Sequence, residues 1–397
     1  MIKPGAMATE PTVAGRAPLA GFYFLYFAAS GITQPFLPAY MKSLGLSATQ
    51  VGVLLAINPV ASLFAPPFWA HLVDRTGRPA RVLSWVSLGA CVGIAAVAAS
   101  SHYALLIAAF ALYGVFVCSI TMLADTLAMQ RVAVTRESYA HMRLFGSLGY
   151  VVSAVLFGLF TRGPSRAAIL VPVAISAAYG LWSLRLRASF TGAPALHPLA
   201  GLRILANRDV LRLLVAASIH WMACAPYHGS LGIHVQALGL APSVAGLAAA
   251  TGVAAELAAL LAYPRWGHRV APRHLLFVCF AVSALRWAAM ALASEPWVII
   301  ALSSLHGLTF GAFYVASLAL LARRVPAGLK ASGQALFVAV TFGVGGIVGY
   351  AASGLGYDWL GGHRLFAVAA TLEVLAAIIV LGVHPPPPPG SLAEAGT

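Results

Sequence analysis

Runs of about twenty apolar residues recur along almost the whole chain, and they limit what it can fold into. A stretch of that length, coiled as an α-helix, matches the hydrocarbon thickness of a bilayer. No water is available there for backbone N–H and C=O groups, so a helix must satisfy them internally. Twelve such runs centre near Ala29, Leu63, Ala90, Cys118, Val151, Ile175, Ala223, Ala254, Val282, Phe310, Thr341 and Leu372. Gly and Pro recur inside them, as in Gln34-Pro35-Phe36-Leu37-Pro38 and Asn58-Pro59. Membrane helices accept this because neighbouring helices satisfy the freed backbone groups. Only 9% of the 397 residues are charged, against about 25% in a soluble domain. The expectation is an all-α membrane protein. The first run, from about Leu19 to Met41, exceeds the signal-peptide core of about 7–15 residues and lacks a clear cleavage site, so it reads as the first span.

The net charge of +14 does not point to nucleic acid, because the basic residues lie between apolar runs and form no single polar face. They sort by side instead. Eighteen Lys and Arg fall in loops on one side and 4 on the other, with Arg143 and Arg286 left inside runs. Cytoplasmic loops collect Lys and Arg, so both termini are expected in the cytoplasm, with the chain multi-pass in a bacterial inner membrane. The 4 cysteines, Cys91, Cys118, Cys224 and Cys279, are far apart and carry no metal or redox spacing. There is no phosphate loop, zinc spacing or nucleophile elbow. Neither an enzyme, a metal nor a cofactor is expected.

An internal repeat divides the chain. Leu44-Gly45-Leu46, six residues before Gly52, returns as Leu238-Gly239-Leu240, six before Gly246, at an offset of 194. Leu112-Tyr113-Gly114 through Arg131-Val132 returns as Leu305-His306-Gly307 through Arg324-Val325, at an offset of 193. The expected organisation is a cytoplasmic tail (1–16), an N-terminal six-helix bundle (17–186), a cytoplasmic linker (187–208), a C-terminal six-helix bundle (209–384) and a Pro-rich tail (385–397). Two parallel six-helix repeats place a substrate site at mid-membrane between them.

Ionisable residues inside spans are costly, at roughly 2.5–3.5 kcal/mol on insertion scales, and usually mark a substrate or proton pathway. Glu256, Arg286 and His306 sit deep in the eighth, ninth and tenth runs. At about 1.5 Å rise per residue they lie about 20, 10 and 14 Å from the outer ends of their spans. They are expected to converge, with Glu256 paired to Arg286 and His306 placed as a relay. In the N-terminal half, Asp125 lies in the fourth run and Arg143 at the start of the fifth. An Arg143 facing the cavity suits a carboxylate, through bidentate hydrogen bonds. The alternative is an ion pair or snorkelling arginine at the cytoplasmic end. Tyr26, Gln34, Asn58, Tyr113, His220, Tyr227 and His228 are further candidates for the cavity wall, and Trp221 and Trp287 for stacking. Glu373, on the last and peripheral run, is expected to pair locally.

The loop Asp74-Arg75-Thr76-Gly77-Arg78-Pro79-Ala80-Arg81 resembles the signature loop of the major facilitator superfamily. Asp74, Arg75, Gly77 and Arg78 are therefore expected to form a conformational latch. Further segments occur in order: Arg143-Leu144-Phe145-Gly146-Ser147-Leu148-Gly149-Tyr150, Ala255-Glu256, Leu285-Arg286-Trp287, His306 through Ala312, and Ala331 through Phe337. Together they resemble the phenylpropionate permease branch, which is similar to the oligosaccharide:proton symporters of the lactose permease type. That type places an acid, an arginine and a histidine on helices 8, 9 and 10, and the resemblance implies the same for Glu256, Arg286 and His306. It also has a second acid one turn beyond the histidine, where this chain has Thr309. The resemblance implies twelve helices in two pseudo-symmetric bundles.

The function expected is secondary active transport: a proton-coupled symporter, acting as a monomer, that takes up a small organic solute, with an aromatic or other organic acid first. The alternatives are a proton antiporter exporting drugs or metabolites, a nucleoside or oligosaccharide symporter, and a membrane sensor that binds solute without turnover.

Overall fold

The computed structural model describes residues 13–188 and 200–384. The first twelve residues, half of the expected linker and the Pro-rich tail lie outside them. The described chain is helical, with no strand among these residues. Six helices make up its first part: α1 (Arg16–Ser43), α2 (Ala48–Thr76), α3 (Pro79–Ala99), α4 (Tyr103–Thr135), α5 (Tyr139–Phe160) and α6 (Ala167–Ser183). Then come α7 (Arg208–Ala237), α8 (Pro242–Trp266), α9 (Pro272–Met290) and α10 (Pro296–Ala322). The last stretch, Lys330–Leu381, is 52 residues long and breaks at Gly361, whose φ is 74°. Asp358 lies beside Ala48 on one face of the molecule, and Val383 lies beside Arg273 on the other. The chain therefore reverses at Gly361, giving α11 (330–360) and α12 (362–381). Each of the twelve apolar centres falls in its own helix. Nine helical stretches among the described residues are long and apolar enough to cross a membrane.

Local chemistry sets the ends. Ser47 and Gln50 close a capping box on α2, each side chain bonding the other's backbone N–H. Gly77 ends α2 in the left-handed region, at φ 62°, and Pro79 opens α3. The repeat appears in the same terms: Gly45 (φ 90°) follows α1 and Gly239 (φ 70°) follows α7. Both turns need a residue free of a Cβ.

Apolar residues face outward as well as inward. Phe160 and Leu292 are more than four-fifths exposed, and Trp297 and Trp359 stand out near helix ends. Tryptophan at that level is typical of a membrane–water interface. One core lies within residues 14–186 and a second within residues 204–383. Two further clusters draw side chains from both halves.

The halves meet along two related seams. At Gly52 on α2 an added Cβ would overlap the Tyr350 carbonyl and Gly354 of α11. At Gly246 on α8 it would overlap the Ala154 carbonyl of α5. Both glycines lie at equivalent places in the repeat, so each seam is a close backbone contact. Asp358 adds a polar clamp to the first, accepting from Ala48 N (3.0 Å), Thr49 N (2.7 Å) and Thr49 Oγ1 (2.7 Å). These contacts lie toward the face opposite the Arg-rich loops. On the basic face, Asp74, Arg75 and Arg78 make no ion pair with described residues, and Asp74 and Arg75 are exposed.

Candidate functional site

A cavity of about 320 Å³ lies between the halves. Its N-terminal wall is Phe27, Ser30 and Gln34 from α1 and Arg143, Ser147 and Tyr150 from α5. The sequence explains the wall. Gly146 and Gly149 bring α5 onto α1, since a Cβ at either would overlap the Phe27 ring or the Phe24 carbonyl. Arg143 then lies over the Phe27 ring at 4.0 Å, a cation–π contact. No carboxylate of the described residues pairs with it. Tyr150 donates from its hydroxyl to Gln34 Oε1 at 2.7 Å, spanning α5 and α1.

The opposite wall comes from α7, α8 and α10. Gly307 lets α10 approach the Ala255 carbonyl of α8. That contact sets His306 Nε2 3.9 Å from Glu256 Oε2. His306 stacks on Phe310 at 5.2 Å and meets His228 edge-on at 5.5 Å. Trp221 completes a row of flat rings with His228 (5.1 Å) and Phe310 (5.8 Å). Glu256 and His228 keep partial exposure there, and Tyr227 and His306 are buried at the rim. Three π-helical turns shape this half, at Pro226–Ser230, Gly307–Ala312 and Ala339–Val344. Such turns are rare and favour functional sites, because the extra residue re-aims side chains.

Behind this wall runs a second polar network, which meets the cavity lining at Tyr227. Arg286 is 1% exposed, donates to Thr309 Oγ1 at 3.0 Å, and lies over the Tyr227 and Trp287 rings at 4.4 and 4.3 Å. His220 and Glu373 are fully buried. His220 Nδ1 is 2.8 and 2.9 Å from the two Glu373 oxygens, and its Nε2 is 2.8 Å from the Thr309 carbonyl. Trp287 Nε1 donates to Glu373 at 3.2 Å. Donor atoms of His220, Cys224 and Glu373 lie within 4.8 Å of one another. Both His220 nitrogens are already engaged, one by a backbone carbonyl, so hydrogen bonds account for that closeness without a metal.

Several expectations need correction. Arg286 does not pair with Glu256; Thr309 and two aromatic faces hold it instead, because α9 packs on α10 and α12 and not on α8. Asp125 and Arg143 do not share the cavity: Asp125 accepts from Tyr23 (2.6 Å) and Tyr139 (3.0 Å). Tyr26 packs against Phe22, Phe27 and Tyr179. Asn58 faces Gly114 within the N-terminal half, and Tyr113 packs against the apolar cores there. His220 lies behind the wall. Of the candidates, Glu256, His306, Arg143, Gln34, Tyr227 and His228 line the cavity. Glu373 is central and not a peripheral local pair. Phe27, Tyr150 and Phe310 are cavity residues that sequence reasoning missed, although the glycines near them, Gly146, Gly149 and Gly311, point to close helix contact.

The model of the MFS_1 like family matches residues 17–368. The chain belongs to that family. It is a major facilitator transporter, embedded in a membrane by many helices, and not an enzyme. It is 26% identical over 372 residues to the probable 3-phenylpropionic acid transporter of Escherichia coli, covering 91% of this chain and 96% of that one. It is 28% identical over 329 residues to the maltose permease of Geobacillus stearothermophilus, covering 82% and 83%. The fold matches the crystal structure of the nucleoside transporter NupG at a TM-score of 0.79 and 15% identity, over 93% of this chain and 98% of that one.

Proposed function

We propose that this transporter is a proton-coupled importer of a small aromatic carboxylic acid, working as a monomer by alternating access. The observation that carries the reading is one cavity that holds a guanidinium free of any carboxylate among the described residues, Arg143, facing a row of flat rings, Trp221, His228 and Phe310. The carboxylate of the solute docks on Arg143, whose planar fork suits bidentate recognition. The solute's ring lies against the aromatic row. Glu256, beside His306, supplies a protonatable carboxyl on the other wall, so substrate and proton enter one chamber. The likeness to a probable 3-phenylpropionic acid transporter supports an aromatic acid as the first probe.

In this reading the basic face is cytoplasmic, and the two bundles, joined by the linker, rock about the glycine seams. The seams are closed on the outer side and the loop around Asp74, Arg75, Gly77 and Arg78 is disengaged, which supports an inward-open state. The loop latches when the basic face closes.

Calorimetry with purified protein and 3-phenylpropionate tests the site. Wild type binds, and Arg143→Lys loses affinity by about tenfold or more, since a charge-assisted hydrogen bond contributes about 1.5–3 kcal/mol. Unchanged affinity removes Arg143 from the site. In proteoliposomes, uptake should alkalinise the medium outside. Movement only against an inward proton gradient would favour an exporting antiporter.

A further inference from the structure

The cavity does not account for the His220–Glu373 pair, which sits behind it on α7 and α12. We propose that this pair is a second, buried proton-binding site, linked to Arg286 through Thr309. The inference rests on the proton-coupled reading above, but its first test does not need a substrate.

Hydrogen-bond directions carry the argument. His220 Nε2 faces the Thr309 carbonyl at 2.8 Å, and a carbonyl only accepts, so Nε2 carries a hydrogen. Nδ1 faces both oxygens of Glu373 at 2.8 and 2.9 Å. A bare Nδ1 against a carboxylate would set lone pair against lone pair. One more proton therefore lies between them, as imidazolium with carboxylate or as neutral imidazole with carboxylic acid. Either form makes the pair neutral. Both side chains are 0% exposed, so water cannot replace that proton's bond.

The neighbours make the proton consequential. Arg286, on α9, has no carboxylate within ion-pair distance among the described residues, and its Nε and Nη2 lack hydrogen-bond partners there. A buried charge so placed is costly. With the proton in place the cluster carries the single positive charge of Arg286. When the pair gives up H⁺ it becomes His220 with anionic Glu373, and the cluster is neutral. Loss of the proton thus supplies Arg286 with a counter-charge and removes the bond joining α7 to α12. Thr309 touches both partners, through its carbonyl and its hydroxyl, and lies on the π-helical turn that follows His306. The other titratable groups facing the cluster are Cys224, Tyr227 and His228 on α7, Cys279 on α9 and His306 on α10. The apolar neighbours of the His220 ring, Phe280 and Phe313, keep water away. Proton exchange at this site therefore requires α7, α10 or α12 to move, which ties it to the transport cycle.

The test uses the purified full chain in liposomes with ¹⁵N-labelled histidine, together with infrared spectra of the carboxyl region. At neutral pH without solute, either one of the 12 histidines is doubly protonated, or one buried carboxylic acid is present. The signal vanishes in Glu373→Gln and survives in Glu256→Gln. Wild-type spectra with neither species overturn the proposal, and this needs no variant to fold. A signal that disappears in Glu256→Gln and persists in Glu373→Gln moves the proton to the cavity and also overturns it. The functional arm uses 3-phenylpropionate. Glu373→Gln should depress gradient-driven accumulation far more than counterflow exchange. Equal loss of both in folded protein makes the pair a packing element and overturns the role in coupling. If wild type does not move 3-phenylpropionate, the substrate reading fails while the spectroscopic result stands.

Discussion

The N-terminal and C-terminal halves repeat one architecture but place their charge differently. In the N-terminal half the membrane-embedded acid, Asp125, is tied off by two tyrosine hydroxyls, and Arg143 alone reaches the cavity. In the C-terminal half Glu256, His306, Arg286, His220 and Glu373 lie in succession across α8, α10, α9, α7 and α12. All three π-helical turns among the described residues are there too. One half offers a fixed charge on a regular scaffold. The other offers titratable groups, on helices whose regular hydrogen bonding is interrupted by π turns. A fixed guanidinium suits an anionic solute, because its charge does not vary with pH. Groups that must change charge need helices that can shift, and a π turn is a place where a helix can do so.

The seams are where the halves are alike, and they offer the largest test of the comparison. Gly52→Leu and Gly246→Leu should each open the outer side, because the added side chain meets a backbone carbonyl that cannot yield. Overpacking costs about 1–3 kcal/mol, enough to move a two-state equilibrium about 5- to 150-fold. Labelling of a cavity cysteine from outside would report it. An effect from one glycine only would break the symmetry.

Asp358 makes the two seams unequal, since α8 opens with Pro242 and offers fewer amides to a carboxylate. Asp358→Asn should weaken the outer closure by about 0.3–1 kcal/mol, the usual contribution of a negative charge at a helix N-terminus. Outside labelling should rise accordingly, and Asp358→Glu, which keeps the charge, should rise less. No change in either variant would mean that the glycine contact alone holds that seam. The smallest expected effect is at Asp125→Asn. Affinity for 3-phenylpropionate should stay unchanged by calorimetry, because the carboxyl faces tyrosines and not the cavity. A drop in affinity would return Asp125 to the substrate site and blur the division between the halves.

Much of this was legible along the chain. The twelve helices follow from apolar length, and the turns at Gly45, Gly77 and Gly239 from residues that accept positive φ. The equivalence of the two halves shows in short repeated strings. Within the site, Glu256, His306 and Arg143 stand out because ionisable groups in lipid are expensive. Partners are harder to see. Opposite charge and similar depth point Glu256 to Arg286. Depth along a helix says nothing about azimuth, and Arg286 points toward Thr309, Tyr227 and Trp287.

What the sequence determined by itself is the solvent this chain must live in, the number and order of its helices, and which side chains are too costly to be idle. Those properties are local: each depends on the residues of one segment and on water or lipid around it. Only the tertiary structure decided which costly groups meet. Glu373 lies 153 positions from His220 along the chain, yet their side chains meet at 2.8 Å behind the cavity wall. That meeting depends on how five helices rotate and cross, fixed by small residues such as Gly307 and Gly246 where backbones touch, and no single segment contains that information.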